Sequence, residues 1–172
     1  DDAPATVPQL LARSVAARPA AEAIVTAGEV LTYQALHQRT RQIASALVSL
    51  GAGKGTRIAL MMPDGTAWLT MFLAAMRIGA LVAPVSTLCT APELAHILRH
   101  SDAQVLIAVR NFLRHDYAAR LETALPGLAS AGVGALRGPQ APYLRSIWLD
   151  EAAGLGWAAS HDARIPRAAD SD

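Results

Sequence analysis

Residues 51–56 read Gly-Ala-Gly-Lys-Gly-Thr and surround the only lysine of the chain, Lys54. Glycine amides and a lysine are the parts with which a phosphate loop cradles a triphosphate, in the spacing G-x-x-x-x-G-K-[S/T]. Here Gly55 follows the lysine where Ser or Thr is required, and Val48 stands where the first glycine belongs. The order of elements also fails. A phosphate loop opens a helix, whose N-terminus attracts anions. This segment follows a helical pattern and precedes an apolar run, so it meets the dipole end that repels them. It reads instead as a helix exit, with Gly51 in the left-handed conformation and Lys54 and Gly55 in the turn.

The other reactive side chains form no set either. His96 and His100 lie four residues apart and could share a metal on one helix face. A zinc protease needs Glu after the first histidine, where Ile97 stands, so a solvated face is the plainer reading. Asp116 could orient His115 as a base, but no serine sits in G-x-S-x-G and Cys89 has no local signature. Cys89 is the single cysteine, which excludes an internal disulfide and a cysteine-based zinc site, and fits a reducing compartment. Met61, Met62, Trp68, Phe72 and Met76 could line an apolar tunnel, yet such spacings also describe a plain core. The turn Pro63-Asp64-Gly65-Thr66 falls between a strand and a helix, on the side where open α/β sheets take ligands. Asp64 is expected to cap that helix. No catalytic, cofactor-binding or metal-binding residue is assigned.

The bulk numbers bound the possibilities. The 172 residues suit one domain or part of one, and 52% hydrophobic content supplies a core. Fifteen basic against 14 acidic residues leave a net charge of +1, without a footprint for nucleic acid or an anionic membrane. The first residues lack a basic stretch and an apolar core, so no signal peptide is expected, and a cytoplasmic location is. The missing initiator methionine suggests a processed or trimmed chain. Residues 67–85 approach bilayer length, but Arg77, Gly79 and Pro84 interrupt them, so a buried helix and strand are expected rather than a transmembrane segment.

The elements follow from periodicity. Thr6, Pro8 and Pro19 bracket a first helix, and 22–33 form a hairpin around Ala27 and Gly28. Leu36, Thr40, Ile43, Ala44, Leu47 and Leu50 share one face of a helix capped by Thr32. Residues 57–62 form a buried parallel strand. A helix at 66–78, apolar almost all round, should be covered on most sides. A strand at 80–85 completes a βαβ unit. Thr90 and Glu93 form a capping box, with Leu94, Ile97 and Leu98 facing inward. A strand at 104–109 and a helix at 111–125 come next. Residues 126–142 read as a Gly/Ala/Pro-rich loop. Residues 143–172 read as a last strand, a weak helix or loop, and a frayed tail. The fold class is therefore α/β, with helices layered on a mostly parallel sheet.

The order of these segments resembles the amino-terminal region of AMP-forming acyl-CoA synthetases, in the adenylate-forming ligase superfamily. Leu31-Thr32-Tyr33 through Leu36 is similar to the first core motif, L-T-Y-x-E-L, with Ala35 at the acidic position. Met76-Arg77-Ile78-Gly79-Ala80 through Pro84 is similar to the second, L-x-A-G-A-x-x-x-P. Between them LGAGKGTRIAL resembles L-G-V-x-x-G-D-R-V-A-L, with Thr56 for Asp, and TAPELAHILRHSDAQVLI resembles the segment that follows. The resemblance covers 6–125. It makes residues 1–172 the amino-terminal portion of one adenylation domain, with 1–125 as its βα core. It implies a parent ligase that uses ATP, Mg and CoA to join a carboxylic acid to AMP and then to CoA. The superfamily's phosphate loop, its magnesium and nucleotide motifs and its catalytic lysine have no counterpart here, so the chain alone is expected to be inactive. Fatty acyl-AMP ligases and peptide-synthetase adenylation domains are alternatives within the superfamily. A stand-alone interaction module is an alternative outside it. The expected partner is the remainder of the parent chain, or a second copy meeting exposed apolar surface; a mean hydropathy of +0.27 favours such contacts.

Overall fold

The computed structural model describes residues 6–133, 136 and 138–161. The chain divides into two compact units. The first holds described residues 6–54 and 64–80; the second holds 55–63 and the described residues from 81 to 161.

The first unit begins with α1 (Val7–Ala17). Gln9 N–H donates to Thr6 Oγ1, and Thr6 N–H to Gln9 Oε1 at 2.7 Å, so cap and third residue satisfy each other's backbone. An antiparallel hairpin follows, β1 (Glu22–Val25) and β2 (Val30–Thr32). Thr32 then caps α2 (Tyr33–Ser49) by accepting from Ala35 N–H at 3.2 Å. The expected apolar face of α2 is buried from Leu36 to Leu47, but Leu50 is the C-cap and 38% exposed. The last helix of this unit, α3 (Thr66–Arg77), packs against α1 and α2. Its fully buried positions are mostly small: Thr66, Thr70, Ala74 and Ala75, beside Met71. Trp68 and Phe72 stack at 5.2 Å and are only half-buried. Ala67 is the only exposed residue of α3, so the helix is covered on most sides, as expected. Small residues permit the closest approach, and the bulky ones flank it.

In the second unit a five-stranded sheet runs in the order β4-β3-β5-β8-β9, parallel throughout. Its strands are β3 (Arg57–Met61), β4 (Leu81–Pro84), β5 (Val105–Ala108), β8 (Ser146–Leu149) and β9 (Ala159–Ser160). β3, β5 and β8 are buried at nearly every position, which is why they read as unbroken apolar runs rather than alternation. At one end of the order, β4 leaves Leu81 57% exposed and carries Pro84, which has no N–H to lose there. The helices are α4 (Ala91–His100) and α5 (Tyr117–Ala124), packed on each other. The α/β class with a parallel sheet flanked by helices is as the sequence implies.

Three expectations need correction. Residues 111–116 are not the start of a helix but a tight hairpin, β6 (Asn111–Phe112) and β7 (His115–Asp116). Its two turn residues, Leu113 and Arg114, both have positive φ, 47° and 64°. The aperiodic stretch after α5 holds a 3₁₀ turn (Leu128–Ser130) and is anchored by buried Leu128, Leu136, Ala141 and Leu144 around a cavity of about 90 Å³. His161, placed in the frayed tail, is buried; residues 162–172 lie outside the described residues. Trp157, buried before β9, donates from Nε1 to Glu122 Oε1 at 3.0 Å.

Candidate functional site

Helix α2 ends at Leu50, and Gly51 follows with φ 84°. Gly51 N–H donates to Val48 O at 2.9 Å and Ala52 N–H to Leu47 O at 3.1 Å, a Schellman closure. These two amides are committed to the helix end, the exit that the glycine spacing implies. Lys54 packs elsewhere: a Cβ on Gly79 would lie 3.4 Å from Lys54 Cα, Cβ and Cγ. The stem of the only lysine thus covers the exit of α3.

Two further expectations about single residues change. Asp64 is exposed, and Gly65 occupies the N-cap of α3 with no side-chain cap bond. Asp64 therefore does not cap that helix, because the chain enters one residue later than expected. Asp116 caps α5 by accepting from Ala119 N–H at 3.1 Å, while the His115 ring lies edge-on to Tyr117. The His-Asp neighbours are a hairpin strand and a helix cap. His96 and His100 are exposed and stack at 5.7 Å. Among the described residues no group of three or more His, Cys, Asp or Glu could hold a metal ion. Met61 and Met62 are core residues.

Within the second unit, the carboxyl end of β4 borders an open groove. β4 leads into a turn in which Cys89 N–H donates to Ser86 O at 3.2 Å and Leu88 N–H to Ser86 Oγ at 3.1 Å. Thr87 O is held twice from α5, by Tyr117 Oη–H and by Arg120 Nη1–H, both at 2.9 Å. Arg120 also lies over the Tyr117 ring, 4.7 Å from its centre, and Tyr117 is fully buried. At the start of α4, the Glu93 carboxylate accepts from Thr90 N–H at 2.7 Å and from Thr90 Oγ1–H at 2.8 Å. Those two bonds, the backbone one first, hold Glu93 below the usual carboxylate range. Ser86, Leu88, Cys89, Pro92, Glu93, His96 and Ile97 line an open groove of about 610 Å³.

Two residues singled out in the sequence, Cys89 and His96, therefore meet at one groove. Burial pushes the Cys89 thiol up, Glu93 adds to that, and Arg120 opposes it without reversing it. A protonated thiol is a poor nucleophile. The groove offers an apolar wall, with Leu88 73% exposed, beneath a polar rim. Sequence reasoning missed Tyr117 and Arg120, the residues that fix the loop. Their spacing on a helix was visible, but nothing in the sequence pointed to the Thr87 carbonyl.

Carboxyl ends of neighbouring strands are tied in the same manner. Asp150 Oδ1 accepts from Arg110 N–H at 2.6 Å, Arg110 Nη1 donates to Ala153 O, and Ser160 Oγ donates to Asp150 O.

Comparison with known proteins matches this arrangement. The family described as AMP-binding enzyme matches residues 11–151. The long-chain-fatty-acid–CoA ligase FadD13 of Mycobacterium tuberculosis is 32% identical over 123 residues, covering 72% of this chain and 24% of that protein. The crystal structure of the anthranilate CoA ligase AuaEII, in complex with anthranoyl-AMP, superposes with a TM-score of 0.72 at 23% identity, covering 95% of this chain and 27% of that one. An inhibitor-bound structure of the N-terminal domain of FACL13 from M. tuberculosis gives a TM-score of 0.59 at 29% identity, over 60% of this chain and 27% of that one. The chain thus spans about a quarter of the length of these relatives. The family match runs past residue 125, where the motif series ends, and takes in β8, which the aperiodic stretch had separated from the rest. With acyl-CoA ligases among its relatives and their fold in its coordinates, the chain belongs to the AMP-binding enzyme family, in its amino-terminal region.

Proposed function

We propose that this chain is the amino-terminal portion of an ATP-dependent acyl-CoA synthetase, which activates a fatty or other carboxylic acid as acyl-AMP and transfers it to CoA. The observation that carries this reading is the family match over residues 11–151, with a fatty-acid–CoA ligase at 32% identity. In this reading ATP, Mg and CoA are bound by the remainder of the ligase. The chain alone is catalytically silent and supplies scaffold, and the ligase works in the cytoplasm. The helix-end role of 51–56 and the raised Cys89 thiol support that silence. The test is a chimera in which this chain replaces the matched segment of FadD13. Pyrophosphate release from ATP and a long-chain acid is expected in the chimera and not from the 172-residue chain. A folded but inactive chimera, or turnover by the chain alone, overturns the proposal.

A second reading, an interaction surface, is favoured by Val25 and Val30. They pair in register on the hairpin and are 64% and 52% exposed. The natural occupant is the remaining three quarters of the ligase. If that surface is left open, the isolated chain self-associates, and light scattering at rising concentration shows species larger than a monomer. A strict monomer counts against this reading.

A further inference from the structure

Arg77 closes α3 beside a histidine rather than a carboxylate. Its Nη2 donates to His37 Nδ1 at 2.9 Å. Arginine has no acceptor, so Nδ1 carries the lone pair and the imidazole is neutral, with its proton on Nε2. Arg41 lies one turn along α2 from His37. Burial first, and then Arg41, lowers the pKa of Arg77; burial, Arg77 and Arg41 in that order lower that of His37. The charges that lower both groups are thus those of arginines.

Among the described residues of the unit, no carboxylate balances them. Its described residues hold six cationic side chains against three carboxylates. Glu29 is taken by Arg39 at 2.8 Å. Asp64 precedes the opposite end of α3, on the order of 20 Å away at 1.5 Å per residue. Glu22 belongs to β1, outside both helices that carry the pair. Beside the cluster, Arg41 lines an open groove of about 300 Å³ with Gln38, Gln42 and Ser45, which add neutral donors.

We propose that His37, Arg41 and Arg77 form a binding site for a phosphate-type oxyanion, with Gln38, Gln42 and Ser45 completing its donors. Two guanidinium groups offer the planar forks that suit such an anion, and a partly buried guanidinium beside another is relieved by a negative charge. Binding recruits a proton to His37. An anion favours the imidazolium, whose Nδ1 then donates, so Arg77 Nη2 turns from the ring to the anion. By linkage, affinity for an anion of fixed charge falls by up to about tenfold per pH unit as His37 loses that proton. This inference is independent of the ligase reading.

The probe is sulfate, dianionic across the range in which histidine titrates, added to the 172-residue chain against chloride at matched ionic strength. The His37 imidazole resonances are followed by NMR. The expected result is a saturable shift of His37 that weakens with rising pH. Arg41→Gln, at an exposed position, keeps the His37–Arg77 bond and weakens binding about tenfold or more through loss of a charge-assisted bond. Inorganic phosphate and glycerol phosphate distinguish the source. Equal affinity marks a free-ion site, and tighter binding of the ester marks a phosphorylated ligand. A drift that chloride reproduces, or Arg41→Gln binding as tightly as the parent, overturns the proposal.

Discussion

His37 couples the stability of the helical unit to pH. Burial and two arginines hold its pKa below the ordinary value of 6.5. The folded chain therefore resists a proton that the unfolded chain accepts. The contribution of neutral His37 is full above pH 6.5 and is lost progressively as the pH falls below it. Urea midpoints measured across this range should fall more steeply for the parent than for His37→Gln; parallel curves would refute it. At Cys89, the raised thiol predicts slow alkylation by iodoacetamide at neutral pH. Tyr117→Phe, which removes one of the two bonds to Thr87 O, should cost about 1 kcal/mol and speed that alkylation. Unchanged reactivity would mean that Arg120 holds the loop alone. Residue types were easy to read in the sequence, but their partners were not. His115-Asp116 looked like a base and its orienter because adjacency is visible and a helix cap three residues away is not. The pair that matters more, His37 and Arg77, is 40 residues apart.

At the scale of elements, three helices finish alike. After α2, α3 and α4 come Gly51, Gly79 and Asp102, all with positive φ, and then buried Ala52, Ala80 and Ala103. In each case the alanine N–H reaches back to the helix, to Leu47 O, Ala75 O and Leu98 O, at 3.1 Å. Two substitutions of opposite sign check this. Gly51→Ala has open space for its Cβ but a left-handed backbone, so it should destabilise by about 1 kcal/mol. Asp102→Gly relieves the same strain at φ 50° and should stabilise by up to about 1 kcal/mol, less what glycine adds to unfolded-chain entropy. Denaturant midpoints measure both, and like signs would contradict the shared closure. The starts of α1, α2 and α4 and the stop of α2 were legible because Thr6, Thr32, Thr90 and Gly51 have types that physics ties to caps. The hairpin of β6 and β7 was not. Its left-handed pair is Leu113-Arg114, where local rules look for Asn-Gly.

Across the whole molecule, the parallel sheet was readable because strands buried on both faces must be apolar throughout, and 58–62 and 105–109 are. β9 was not, since two residues carry no period and its place is set by pairing with β8. The stretch after α5 hid its anchoring because Leu128, Leu136 and Leu144 follow no helical or strand spacing. Amide exchange should be slowest in β3 and β5, which are paired on both sides, and faster in terminal β4 and β9; equal protection would argue against the strand order. The three tryptophans divide between the units. Trp68 stacks on Phe72 in the helical unit, while Trp148 and Trp157 are enclosed in the sheet unit. Each half of the chain consequently carries its own fluorophore. Substituting the other tryptophans by phenylalanine lets emission report the melting of either half separately, and superimposed traces would identify a single cooperative transition.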